Sequence, residues 1–150
     1  MRILYAGFAL LSVFLTSNIA FAGYSLFIGG DASINRDPQK EYLVLATDFA
    51  SHFLDEQLTF KGGAGLLVHE PLKFQTQIRT AAEYGKNIGV SVSPRLNINF
   101  ISSEDKLSPV CQLNFFWFPL NGSSQISMGF DMLNKNTFNF SLMTRLRFPE

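Results

Sequence analysis

A single cysteine, Cys111, stands among 150 residues. No disulfide can form within the chain, so the fold must hold without a staple. Cys111 reads instead as a small apolar side chain rather than a reactive thiol. Histidine is almost as scarce, with only His52 and His69. Two isolated histidines and one cysteine make no zinc-binding spacing, so neither a metal nor a cofactor is expected. Acidic and basic residues balance at 12 each. With no basic stripe, nucleic acid is not an expected partner. After residue 22 no apolar run reaches the ~20 residues of a membrane-crossing helix. Gly62-Gly63-Ala64-Gly65 has no lysine behind it and is no phosphate loop. Glycines inside a strand ease curvature or make room for large neighbours.

The N-terminus has a different character. Met1-Arg2 is followed by an uncharged apolar run from Ile3 to Leu15, then by polar Thr16-Ser17-Asn18 and the small-x-small triplet Ala20-Phe21-Ala22. That order describes a cleaved secretory signal peptide over residues 1–22, leaving 23–150 as one domain. The apolar run is too short for an anchor helix of ~20 residues. Export would place the chain in an oxidising compartment, of which one cysteine makes no intramolecular use.

Phenylalanine is abundant, at 16 residues, and dispersed. The dispersal has a period of two. Over 88–100, Ile88, Val90, Val92, Leu96, Ile98 and Phe100 alternate with Gly89, Ser91, Ser93, Arg95, Asn97 and Asn99. The same pattern recurs from Tyr24 to Ile34, Leu58 to Val68, Phe74 to Tyr84, Ile126 to Met132 and Phe138 to Phe148. Successive side chains of a strand leave opposite faces, so each run reads as a strand. A second strand, apolar on both faces at first, is expected at about 42–50. A sixth is expected over 108–118, where Phe116 and Phe118 fall on the polar parity and a bulge near Phe115-Phe116 would restore the phase. Pro94 predicts another bulge, since proline removes a ladder donor. Turn residues separate the runs, including His52 to Gln57, Gly85-Lys86-Asn87 and Asn134-Lys135-Asn136. Seven such breaks imply eight strands, antiparallel across short connections.

Alternation alone does not choose between a soluble barrel with an apolar interior and a membrane barrel with an apolar exterior. Strand length does, because tilted strands of about 9–11 residues cross a bilayer. The polar parity is Ser, Thr, Asn, Gln and Gly, where a soluble exterior usually carries Lys and Glu. Aromatics gather at strand ends: Tyr24, Tyr84, Trp117 and Phe148 at one rim, Phe74, Phe100 and Phe138 at the other. Two aromatic belts are the mark of two membrane interfaces. The expected fold is therefore an all-β, eight-stranded antiparallel transmembrane β-barrel in an outer membrane.

The tail adds a resemblance. Ser141-Leu142-Met143-Thr144-Arg145-Leu146-Arg147-Phe148 resembles the last strand of bacterial outer-membrane barrels, with Ser141, Leu146 and Phe148 fitting the pattern. Met143 stands where glycine is common, and Pro149-Glu150 extend past the usual terminal aromatic. The chain as a whole is similar to the small eight-stranded class. That resemblance implies a Gram-negative envelope, outer-membrane lipid and lipopolysaccharide as surroundings, and recognition of the last strand by the barrel-assembly machinery. It implies an architecture and no activity.

By parity Lys61, Arg79, Glu83, Arg95, Asp131, Arg145 and Arg147 point inward. Eight strands leave an interior that side chains can fill, and buried charges need partners. Glu83 with Arg79 or Arg95, and Asp131 with Arg145, are the expected pairs. A packed polar core is the reading, with a narrow porin-like pore as the sharper alternative. A lipid A-modifying enzyme would need a Ser/His/acid set, for which His69, Glu70 and Ser102 at one rim are weak candidates and no local motif speaks. A soluble periplasmic barrel holding an apolar ligand is the third reading.

Overall fold

The computed structural model describes residues 21–36, 41–69, 73–100, 106–119, 122–134 and 136–148. Its strands are β1 (Phe21–Asn35), β2 (Tyr42–Phe53), β3 (Leu58–His69), β4 (Lys73–Tyr84), β5 (Ile88–Ile98), β6 (Leu107–Trp117), β7 (Ser124–Asp131) and β8 (Thr137–Arg147). Each pairs antiparallel with the next, and β8 returns to β1. The sheet is a closed eight-stranded barrel. Closure gives every strand two neighbours and removes the edges that an open sheet would expose. Of the expected leader, residues 1–20 lie outside the described residues, while Phe21 and Ala22 belong to β1.

The polar parity faces in. Gln77 and Phe27 are 0% exposed, whereas Leu45 and Tyr84, one face over, are 66% and 65%. Among the described residues, no outward strand position carries an acidic or basic side chain. The outward polar groups are hydroxyls such as Thr47, Thr80 and Thr144.

Three expectations of register are corrected. Pro94 makes no bulge: β5 runs against β6 in unbroken register from Ile88–Trp117 to Ile98–Leu107. Against β4, Arg79–Arg95 and Ala82–Val92 keep one register, and the Thr80 hydroxyl donates to the Pro94 carbonyl at 2.8 Å. The β4–β5 pairing lapses between these two pairs, where proline has no N–H to donate, and resumes in the same register. The bulge near Phe115-Phe116 is also absent. Phe116 keeps the polar parity and is buried at 1% exposure. Gly89, its partner on β5, has no side chain, and a Cβ there would collide with the Phe116 ring. β2 runs on to Phe53, so His52 is an inward strand residue and not part of a turn. Its inward row of Val44, Ala46, Asp48, Ala50 and His52 is mostly apolar, which hid the parity.

The connections define two ends. The β1–β2, β3–β4, β5–β6 and β7–β8 links form the loop end, and the β2–β3, β4–β5 and β6–β7 links form the turn end. In the β2–β3 turn Leu54, Asp55 and Glu56 all have positive φ, at 53°, 54° and 65°. Side chains disfavour that region by roughly 1–2 kcal/mol per residue. The turn is nevertheless held: Gln57 N–H donates to the Leu54 carbonyl at 3.1 Å, and Gly85 N–H donates to Gln57 at 2.8 Å.

Candidate functional site: the barrel interior

The interior is layered along the barrel axis. At mid-height lie Asp31 of β1, Asp48 of β2, Arg79 of β4 and Arg95 of β5, all buried. Arg79 and Arg95 are direct partners on adjacent strands. Like charges so placed repel. Asp31 answers from across the ring, its Oδ2 accepting from both guanidinium groups. Arg79 also grips Asp48 with two nitrogens, Nε at 2.9 Å and Nη2 at 3.1 Å. A forked guanidinium suits two carboxylates at once. Gly63 and Gly65 of β3 leave the room: a Cβ on Gly63 would strike the Asp48 carboxylate, and one on Gly65 would crowd the Val44 side chain and press on Arg79 Cδ.

Toward the turn end the chemistry changes. Phe27, Phe116 and Phe118 stack as a cluster, with centroids at 6.3 Å (Phe27–Phe118) and 5.9 Å (Phe116–Phe118). Cations cap their faces. Lys61 Nζ sits 3.6 Å from the Phe27 centroid, and the Arg145 guanidinium 4.5 Å from that of Phe118. Ring faces carry negative quadrupole charge, so these contacts attract. Lys61 is also paired with Glu83 at 2.8 Å, and Gln125 donates to the same carboxylate at 3.0 Å. Below the rings, Glu56 of the strained turn accepts from Arg145 at 3.1 Å and Arg147 at 3.2 Å. The turn's unusual backbone thus folds a carboxylate back over the barrel mouth.

His52 lies at the same end. Its Nε2 is 2.8 Å from Ser25 Oγ and its Nδ1 2.9 Å from Thr59 Oγ1. Both ring nitrogens are satisfied, and His52 ties β1, β2 and β3 together. A Ser–His contact is half of a nucleophile arrangement. Here Ser25 is 1% exposed, and the group orienting the imidazole is a hydroxyl in place of an acid. The buried contact ties neighbouring strands together.

Of the residues expected inside, Lys61, Arg79, Glu83, Arg95, Asp131 and Arg145 are buried in the barrel. Arg147 emerges at the turn end, its side chain 58% exposed. The expected partners differ from those found. Glu83 takes Lys61, not Arg79 or Arg95, because both arginines lie nearer the loop end. Asp131 takes no arginine among the ion pairs found. It accepts from the backbone N–H of Cys111 at 3.3 Å and of Leu133 at 2.9 Å, while Arg145 is engaged by Glu56 at the other end. Asp31 and Asp48 were absent from the expected inward charges. Asp31 had the correct parity in its own segment, and Asp48 was masked by its apolar neighbours.

Tyr24, Phe74, Tyr84, Phe100, Phe138 and Phe148 are exposed on the outer wall, and Trp117 is half-buried there. Tyr24, Phe49 and Phe148 form one run of rings near the turn end, with centroid spacings of 5.3 and 6.3 Å. His69 ends β3 opposite Tyr42 and Lys73. Glu70 and Ser102 lie outside the described residues. Among the described residues, no cluster of His, Cys, Asp and Glu is arranged to hold a metal. No protein-family model, no curated protein and no solved structure matches the chain.

Proposed function

We propose that the chain is a small outer-membrane β-barrel of a Gram-negative envelope, with a structural or surface-interacting role and no reaction of its own. The observation that carries this reading is the outer wall. It exposes Leu43, Leu45, Val90, Val92, Phe140 and Leu142 with no charge among the described outward strand positions. A continuous apolar surface of that extent has to be covered, and acyl chains cover it all round. A soluble barrel binding an apolar ligand would need the opposite orientation of its faces. In this reading lipid and lipopolysaccharide surround the barrel, the exposed rings at strand ends sit at the two interfaces, and β8 engages the assembly machinery.

The test is fractionation of the envelope followed by electrophoresis of unheated and boiled samples. A heat-dependent mobility shift in the outer-membrane fraction supports the proposal. Recovery as a soluble periplasmic protein without a shift rejects it. A sharper form places one charge on the wall: Val92→Arg, near mid-height, should lower stability in lipid by about 2–4 kcal/mol. In a soluble barrel the same exposed substitution should be nearly silent.

A further inference from the structure

Several buried polar atoms have no partner among the described residues: Arg95 Nε, Gln112 Nε2, and both the amide nitrogen and oxygen of Asn139. Gln112 and Asn139 are 2% and 3% exposed. These groups are neighbours. Ser93, the next inward position to Arg95, is paired with Gln112. Gln112 faces Asp131 of β7, and Gly129, the next inward position on that strand, faces Asn139. Asn139 in turn faces Ser33. Ser93 and Gly129 are small, and the Asn114 side chain lies against Gly129.

All these atoms lie on one side of the aromatic cluster. On β5, Arg95 is nearer the loop end than Gly89, the partner of Phe116. On β6, Gln112 is nearer than Phe116, and on β8, Asn139 is nearer than Met143. The aromatic layer itself is filled: Phe27, Phe116 and Met143 are 0%, 1% and 3% exposed. Buried donors and acceptors without protein partners are ordinarily met by ordered water, and apolar layers stay dry.

We infer that the interior is a one-sided vestibule. Water fills a chamber lined by Arg95, Gln112 and Asn139, stops at Phe27, Phe116, Phe118 and Met143, and no ion crosses the barrel. The non-conducting part rests on the membrane reading above; the hydrated chamber does not.

The experiment is single-channel recording of the full chain in planar bilayers, using preparations that first show the heat-dependent shift of a folded barrel. Wild type should give no conductance steps. Phe27→Ala/Phe116→Ala should give steps, and Gln112→Ala/Asn139→Ala, which only widens the chamber, should stay silent. Steps from wild type or from the chamber variant overturn the inference, as does silence from a folded Phe27→Ala/Phe116→Ala barrel. Should that variant not fold, magnetisation transfer from water to the side-chain amides of Gln112 and Asn139 in the wild type decides the chamber. Transfer supports it, and its absence overturns it. A chain that fractionates as soluble removes the membrane reading but leaves this last measurement valid.

Discussion

The mid-height layer of Asp31, Asp48, Arg79 and Arg95 and the aromatic layer of Phe27, Phe116 and Phe118 belong to the same barrel, a few residues apart on shared strands. They hold it by different physics. In the charged layer every guanidinium depends on a carboxylate from another strand, so loss of one member leaves an uncompensated charge indoors. In the aromatic layer the contacts are many and weak, and loss of one ring leaves a void. The charged layer retains polar atoms unmet by protein and needs water. Among the described residues the aromatic layer keeps none. One half of the interior is therefore specific and wet, and the other is tight and dry.

The largest expected effect comes from Arg79→Leu, which strips Asp48 of its partner and Asp31 of one of two. It should cost about 3–5 kcal/mol, read from urea unfolding of the folded barrel. The double change Arg79→Leu/Asp48→Leu should cost less than the single one, because no orphaned carboxylate remains at that position. A double variant weaker than the single would break the contrast between the layers. Next comes Phe116→Ala, expected to cost about 3 kcal/mol by the void it leaves. Phe116→Leu should recover much of that, whereas no neutral residue should rescue Arg79. His52→Ala removes two hydroxyl contacts and should cost about 1–2 kcal/mol in the same assay. Smallest is Glu56→Gln, at less than about 1 kcal/mol, because the carboxylate is partly solvated and ion pairs near the surface contribute little. Its effect should fade as salt is raised, while that of Arg79→Leu should not.

The two layers also differ in how readable they were. Arg79 and Arg95 sit in clean alternating runs, Phe74 to Tyr84 and Ile88 to Phe100, so their inward direction followed from parity alone. Phe116 and Phe118 stood on the same parity but read as a slip, because rings were assumed to belong outside. The barrel admits them because Gly89 stands opposite Phe116 and Arg145 caps Phe118. Asp48 went unnoticed among Val44, Ala46 and Ala50, where an inward row of small apolar residues blurs the distinction between faces. Pro94 suggested a bulge that the strand does not make: the register against both neighbours is the same on either side of it.

The strands, their number, their antiparallel order and, for most of them, the side chains that share a face were legible from residue order. Those are local properties, set by a period of two and by turn residues between runs. The tertiary structure alone decided who meets whom across the ring: Asp31 with two arginines, Lys61 with Glu83 and Phe27, Glu56 with Arg145. Such partners depend on the registers of all eight strand pairs taken together. A shift in any one pair would move every side chain of the opposite wall to another height, and no local pattern records that sum.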